Sequence, residues 1–362
     1  MEIFQYRFPL ARPFVTGRQT YTYRNGFILR WKTDSLEAYG EAAPLPGFSG
    51  ESLQDVSQQL KEIADRLEGL FRTDPGDEEL ERLKQQNQLA PSVRFALDTL
   101  YHDLQAKKNG TSLCPYLFDS CRNKIPINSV VTAGSQRETL ETIRRQVDRG
   151  IKTIKIKVGK DFDREMNIVK QASNLHSDIH FRLDANRSWT AEEAVKNLAI
   201  LADYPIEYCE EPVRNPSVEV LEKLVQNSPI PIALDETLSD IPLTGDLLER
   251  NIAGVLIFKP MVLGDLQKII ETKRLADTHD YTTVFTTSLE SGIGRMMTAT
   301  LAAGLCPGNQ GHGLDTGSLL EIDVWSDHAY IENGFFHLPE GAGLGRTFEL
   351  SPEKLKLKVL ER

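Results

Sequence analysis

No C-x-x-C pair occurs in this 362-residue chain, and the cysteines Cys114, Cys121, Cys209 and Cys306 are scattered. That pattern excludes a zinc-finger framework and is read as reduced thiols in a cytoplasmic protein, not as a disulfide scaffold. The histidines include no H-E-x-x-H or other close ligand spacing, so any bound metal is expected on carboxylates, which favours a hard cation such as Mg²⁺. No apolar run approaches the roughly 18 residues of a membrane-spanning helix. The start, Met1-Glu-Ile-Phe-Gln5, lacks the basic and apolar regions of a secretory signal. No G-x-G-x-x-G follows a strand pattern, which disfavours a dinucleotide fold.

What is present is ordinary for a globular protein with ample core: 40% apolar and 26% charged residues. The net charge of 42 − 52 = −10 disfavours nucleic acid and anionic membrane as partners. A small molecule is the expected partner.

Residues 1–43 alternate apolar and polar in the manner of a β-meander, with Asn25-Gly26 as a tight-turn signal between two strands. The Pro44-Leu-Pro-Gly-Phe-Ser49 loop breaks that pattern. Helical spacing follows over 52–70 and 78–86, and Ser92 reads as the N-cap of a helix over 93–106. Residues 1–120 thus look like a few strands followed by helices.

From Ile125 onward, short apolar strand candidates alternate with amphipathic helices. They lie at 125–131, 153–158, 179–184, 206–210, 232–235, 254–259 and 284–287, with a weaker one at 312–314. Eight βα units at this pitch fit a closed parallel barrel better than an open sheet. After Asp323 the pattern stops, and the remainder is expected to pack back onto the N-terminal unit. The domains expected are an α+β cap from 1–122 and 326–362, and a barrel from 123–325.

The strand Lys152-Thr-Ile-Lys-Ile-Lys-Val158 puts Lys155 and Lys157 on one face and Ile154 and Ile156 on the other. Alone, that describes an edge strand with a solvated basic face. The neighbouring strands change the reading. Successive strand candidates end near Lys157, Asp184, Glu210, Asp235 and Lys259, spaced 27, 26, 25 and 24 residues apart, nearly the pitch of the unit itself. Asp184 and Asp235 could each cap a turn, and Glu210 could lie in a plain acidic loop, but five such residues at five strand ends are hard to obtain by chance. In a barrel those ends surround the active site. Three carboxylates converging in a partly dry pocket need a cation, and Mg²⁺ suits them. The cation would stabilise an enolate-type anion formed when a proton leaves the carbon beside a substrate carboxylate. A lysine acting as that base must first be neutral, which a neighbouring ammonium and a metal would both favour.

These residues resemble the enolase superfamily. Lys155-x-Lys157, Asp184-Ala-Asn186, Glu210-Glu-Pro212, Asp235-Glu236 and Lys259-Pro260 match, in order, its second-strand lysines, its three metal ligands and its sixth-strand lysine. The resemblance spans the whole chain and implies a (β/α)7β TIM-like barrel under an α+β capping domain built from both chain ends. Lysines on both sides resemble the muconate lactonizing subgroup. The seventh strand ends Thr286-Thr287-Ser288, where mandelate racemases place a histidine.

Finer motifs are similar to the ortho-succinylbenzoate synthases of that subgroup: Pro44 to Glu51, Pro91-Ser-Val-Arg-Phe-Ala96, Ser288-Leu-Glu-Ser-Gly-Ile-Gly294 and Gly313-Leu-Asp-Thr316. The resemblance implies a Mg²⁺-dependent syn dehydration in quinone biosynthesis, with Mn²⁺ able to substitute. Lys157 would carry the proton, Lys155 would act as its electrostatic neighbour, and Lys259 would face the opposite side. Asp184, Glu210 and Asp235 would be the metal ligands, and the substrate a small carboxylate. Phe48, Ser49, Asn186, Ser288, Glu290 and Ser291 are the candidate substrate-binding residues, with the backbone N–H groups of the 288–291 turn receiving a carboxylate. Phe48 could equally sit in an ordinary packed loop, and the 288–291 turn could merely cap a helix. Dipeptide epimerases of the subgroup carry an Asp-x-Asp after the eighth strand to hold the substrate ammonium. Here the matching positions read Gly313-Leu314-Asp315, so the first acid is missing. An N-acylamino acid racemase or dipeptide epimerase, and a non-catalytic carboxylate-binding barrel, remain the alternatives.

Overall fold

A computed structural model describes residues 1–15, 20–131, 134–175, 177–239, 248–250, 253–325, 330–346, 355 and 357–361. Strands β1 (Glu2–Val15), β2 (Thr20–Lys32) and β3 (Glu37–Ala42) form an antiparallel sheet. Its inner face, with Ile3, Phe27, Leu29 and Trp31, packs on Val56, Leu60, Ile63 and Leu67 of α1 (Leu53–Arg72) and on Val93, Leu97 and Leu100 of α3 (Pro91–Lys108). The short α2 (Asp77–Gln86) lies between these helices in sequence. Ser52 caps α1 in a reciprocal box with Asp55.

Two local expectations fail. Asn25-Gly26 is no turn: β2 runs unbroken through it, paired with β1 at Arg7↔Asn25 and Tyr6↔Gly26. The glycine serves contact instead, since a Cβ there would lie 2.6 Å from the Tyr6 hydroxyl. Ser92 does not cap α3 either. The helix starts earlier, with Ala90 as N-cap and Pro91 as its first residue, and the Ser92 N–H donates to the buried Glu51 carboxylate at 3.1 Å.

A short helix, α4 (Leu113–Leu117), leads towards the barrel. Cys114 and Cys121 are joined there in a disulfide, against the expectation of four reduced thiols. The bend after α4 brings their Cα atoms to 6.0 Å, within bridging range despite the absence of any recognisable spacing. Cys209 and Cys306 are free and buried.

The expected strand over 125–131 splits in two. β4 (Lys124–Pro126) belongs to a small outer sheet, and β5 (Asn128–Val131) is the first barrel strand. Then follow α5 (Gln136–Asp148), β6 (Thr153–Lys157), α6 (Phe162–Leu175), β7 (His180–Asp184), α7 (Ala191–Leu201), β8 (Ile206–Glu210), α8 (Val218–Asn227) and β9 (Ile232–Leu234). The last units are β10 (Val255–Phe258), α9 (Pro260–Leu263), α10 (Leu266–Thr278), β11 (Thr282–Phe285) and α11 (Gly292–Leu305). Strands β5 to β11 form one parallel sheet in sequence order. Its edges are bridged by a remnant of the eighth strand, through Ile127↔His312 and Thr286↔Gly313. This is a (β/α)7β TIM-like barrel. Alternation sends Ile154 and Ile156 out into the main core and Lys155 and Lys157 inward. Tyr208, Ala233, Val255, Ile257 and Val284 pack as a separate cluster within the strand layer, with the Arg182 guanidinium 4.8 Å from the Tyr208 ring.

The C-terminal segment divides its contacts. The hairpin of β12 (Ile331–Glu332) and β13 (Phe335–His337) pairs with β4 beside the barrel, whereas β14 (Lys358–Val359) adds to β1 in the N-terminal sheet. The charged tail after residue 346 lies largely outside the described residues. Among the described residues, no helix is long and apolar enough to cross a membrane.

Candidate active site

Register brings the charged strand ends side by side. Lys157 pairs with Asp184 across β6 and β7, and Asp184 with Glu210 across β7 and β8. Asp235 and Lys259 each follow the last residue of their strands. The Lys157 ammonium donates to Asp184 Oδ2 at 2.6 Å and to Asn186 Oδ1 at 2.7 Å. Lys155 Nζ donates to both oxygens of Glu210 at 2.7 Å and lies 2.9 Å from Asp184 Oδ2. Lys259 donates to Asp235 Oδ2, and its ammonium stands 3.8 Å from the centre of the Phe48 ring, a cation–π contact.

Burial opposes charge on Lys155, but the carboxylates of Asp184, Glu210 and Asp235 together outweigh it and hold the ammonium well above the usual lysine range. Burial likewise opposes ionisation of Asp184, yet Lys155 and Lys157 keep it well below the usual carboxylate range. At Asp235 burial prevails, and the negative charge of Glu210 adds to it, so that carboxyl is pushed well up despite Lys259. Glu236, next in the chain, is also raised by burial.

Glu211, which sequence reasoning passed over, organises the floor. Its carboxylate accepts the N–H groups of Asp235 (2.9 Å) and Thr237 (2.8 Å) and the Arg187 guanidinium (2.9 Å). Its backbone lies at φ +42°, as does that of Asn186 at +41°, both in the left-handed region. The only signal in the sequence was the doubled acid before Pro212.

The pocket above this floor is walled by Phe14, Tyr21, Leu45, Phe48, Leu289 and Leu319, and the floor carries Lys155, Lys157, Asp184, Asn186, Asp235, Glu236 and Lys259. Ser288 lines it too, with a buried Oγ that has no hydrogen-bond partner among the described residues. Three expected substrate contacts lie elsewhere. Ser49 Oγ accepts the Leu45 N–H at 2.9 Å and closes its own loop. Glu290 and Ser291 are fully buried behind the wall. The Ser288 N–H is taken by Glu290 Oε2 (2.6 Å) and the Ser291 N–H by Glu41 Oε1 (2.8 Å), so neither is available as an anion donor. Local carboxylates satisfy these groups first.

Among the described residues, no three histidine, cysteine or acidic side chains stand close enough together to ligate one ion, contrary to the convergence expected of Asp184, Glu210 and Asp235. Lysines stand between the acids instead: Lys155 bridges Asp184 and Glu210, and Lys259 holds Asp235. The donor chemistry still fits a hard cation. All three acids are buried, and Glu236 Oε2 is buried with no hydrogen-bond partner among the described residues. Asp184, Glu210, Asp235 and Glu236 supply the oxygen donors that a hard cation takes, beside Lys155, Lys157 and Lys259.

A barrel mouth that gathers lysines and acids at its strand ends under an apolar cap has the architecture of an enzyme active site. The sequence matches the family described as Enolase C-terminal domain-like over residues 138–352, and the MenC N-terminal domain over residues 1–103. The chain therefore belongs to the enolase superfamily, in its muconate lactonizing enzyme subgroup. It is 29% identical over 330 residues to the o-succinylbenzoate synthase of Vibrio cholerae, covering 89% of this chain and 90% of that one. It is 26% identical over 324 residues to the L-Ala-D/L-Glu epimerase of Francisella tularensis subsp. novicida, covering 88% and 90%. The fold matches the muconate lactonizing enzyme from Pseudomonas fluorescens complexed with muconolactone (TM-score 0.88, 20% identity, 99% and 98% covered). It also matches the dipeptide epimerase from Enterococcus faecalis complexed with Mg and dipeptide L-Leu-L-Tyr (TM-score 0.84, 24% identity, 95% and 99% covered).

Proposed function

We propose that this enzyme is an ortho-succinylbenzoate synthase, which removes water from 2-succinyl-6-hydroxy-2,4-cyclohexadiene-1-carboxylate to give 2-succinylbenzoate in quinone biosynthesis. The epimerase reading has relatives of similar identity, and the end of the eighth strand is the observation that favours the synthase over a dipeptide epimerase. An enzyme acting on a free amino terminus needs an anion on the pocket wall for the ammonium. At Gly313 a Cβ would lie 2.0 Å from Thr286 Oγ1 and 2.6 Å from Thr286 Cβ, leaving no room for an acid. Asp315 is present but occupied, its oxygens held by Arg149 at 3.0 and 2.9 Å and by Ser129 Oγ at 3.0 Å. Neither position offers a free carboxylate to an amine, and a substrate without an amine needs none.

In this reading Lys157 takes the proton from the carbon bearing the ring carboxylate. The C–H electron pair passes into an enediolate and then returns to expel the hydroxyl. Lys157 protonates the hydroxyl from the same face, so water leaves syn. Asn186 Oδ1 fixes the direction of Lys157 Nζ, and Lys259 presents its charge from the other side. Mg²⁺ or Mn²⁺ on Asp184, Glu210 and Asp235 would supply the further positive charge beside the developing anion. In the same reading Phe48 and Leu45 cover the ring, and Ser288 Oγ donates to the succinyl carboxylate. Because aromatisation drives the elimination, few further contacts are required. Incubating the enzyme with Mg²⁺ and the cyclohexadiene should yield 2-succinylbenzoate. Failure to convert it, together with deuterium exchange at an amino acid α-carbon in D₂O, would establish the epimerase instead.

A further inference from the structure

Leu289 occupies an unusual backbone state for its residue type. Its φ is +65°, a region that L residues other than asparagine, aspartate and glycine seldom adopt, and it sits buried in the pocket wall. Such a conformation persists only where the surroundings impose it. Two of the restraints come from the barrel: the Ser288 N–H donates to Glu290 Oε2 at 2.6 Å, and Arg295 Nη1 donates to the Glu290 carbonyl at 2.9 Å. The third comes from the cap, 265 residues away in sequence, where Arg24 on β2 donates through Nε to the Leu289 carbonyl at 3.1 Å.

Arg24 is almost completely buried and, among the described residues, has no ion-pair partner. Its other donors reach the carbonyls of Asn25 (2.9 Å), Pro44 (2.6 Å) and Ala43. The hydrogen bonds of this planar guanidinium all go to carbonyls, with Glu51 and Glu290 near enough to feel its charge, and a lysine could not span the same acceptors. Two of those carbonyls, Ala43 and Pro44, begin the loop that carries Leu45, Gly47 and Phe48 to the pocket. The fourth belongs to the strained turn opposite. One side chain therefore ties two walls of the pocket together.

We propose that Arg24 is a positioning residue: it holds the turn 288–290 in its left-handed form and sets the start of the 44–49 loop against it, so that the pocket stands ready for the substrate's distal carboxylate. Arg24 need not touch substrate. The carboxylate role of the turn rests on the synthase reading, but the clamp itself does not.

Hydrogen exchange on the full-length protein tests the clamp independently of the reaction. In Arg24→Met and Arg24→Lys, exchange over 286–291 and 43–49 should quicken by about tenfold or more while the barrel helices keep their rates. Leu289→Gly, which accepts a positive φ without restraint, should largely remove the effect of Arg24→Lys on the turn. With substrate, KM should rise by about tenfold in Arg24→Lys while kcat changes much less. Wild-type exchange rates in both segments, global unfolding of even the lysine variant, or an Arg24→Lys effect unchanged by Leu289→Gly would each overturn the proposal. Absence of dehydration by the unaltered enzyme would remove the synthase reading and leave the exchange result standing.

Discussion

Arg149 grips Asp315 through both carboxylate oxygens, turning the one acid at the end of the eighth strand away from the substrate pocket. With Gly313 pressed on Thr286, this makes the chain a poor host for a substrate amine. Introducing the missing acid should not rescue that function. Gly313→Asp is expected to destabilise the fold by about 2 kcal/mol through overpacking, without creating amino acid epimerisation. Denaturant midpoints and α-proton exchange measure both. Appearance of epimerase activity in this variant would show that the eighth-strand end is more pliable than its packing implies.

Removing the lysines should separate their roles. Lys157→Ala is expected to lower kcat by about 10³-fold or more with little change in KM, since proton transfer has no substitute there. Lys259→Ala removes charge stabilisation instead and should cost roughly 10²-fold. An undiminished rate in Lys157→Ala would contradict the assignment of the proton carrier.

Chelation should abolish turnover, and Mg²⁺ or Mn²⁺ should restore it. Because the ion would bind the folded carboxyl cluster and not the unfolded chain, it should also raise the melting temperature of the unliganded protein. Asp184→Asn or Glu210→Gln should suppress that thermal shift. Equal melting temperatures with and without the ion, and full activity in excess chelator, would remove the metal from the scheme.

The buried Glu290 makes a pH signature. Burial, with the nearby charge of Glu41 adding to it, pushes its carboxyl from 4.5 up to about 7. Between those values the folded chain retains a proton that the unfolded chain releases. The associated stability is present at acid pH and is lost as pH rises through 7, a change of about 3 kcal/mol. Glu290→Gln should abolish this contribution, so its stability advantage over the parent should grow from pH 5 to pH 8. Parallel stability curves for the two proteins would contradict it.

The barrel was legible because a repeating βα unit leaves its pitch in the sequence, and the strand ends carried their charges at nearly that pitch. Asp184 beside Glu210 and Lys157 beside Asp184 follow from parallel register alone. What failed was local chemistry overridden by distant contacts. Asn25-Gly26 has every mark of a hairpin turn, yet pairing with β1 and the Tyr6 ring make it the middle of a strand. Ser92 has the composition of a cap, but Pro91 already begins the helix. The Cys114–Cys121 bridge depends on a bend that no spacing announces. Glu290 and Ser291 follow Ser288 in sequence, yet Glu41 takes the N–H and hydroxyl of Ser291, and Glu290 turns back to the Ser288 N–H inside the core. Glu211 and Arg24 act across strands or domains, through backbone groups that carry no sequence signal.

One experiment bears on the synthase assignment more directly than any other. The purified enzyme with Mg²⁺ is incubated in D₂O, in parallel, with 2-succinyl-6-hydroxy-2,4-cyclohexadiene-1-carboxylate and with an L-Ala-L-Glu dipeptide. Formation of 2-succinylbenzoate in the first vessel, with no α-deuteration in the second, is the expected outcome. Deuterium at a dipeptide α-carbon with the cyclohexadiene left intact would contradict it.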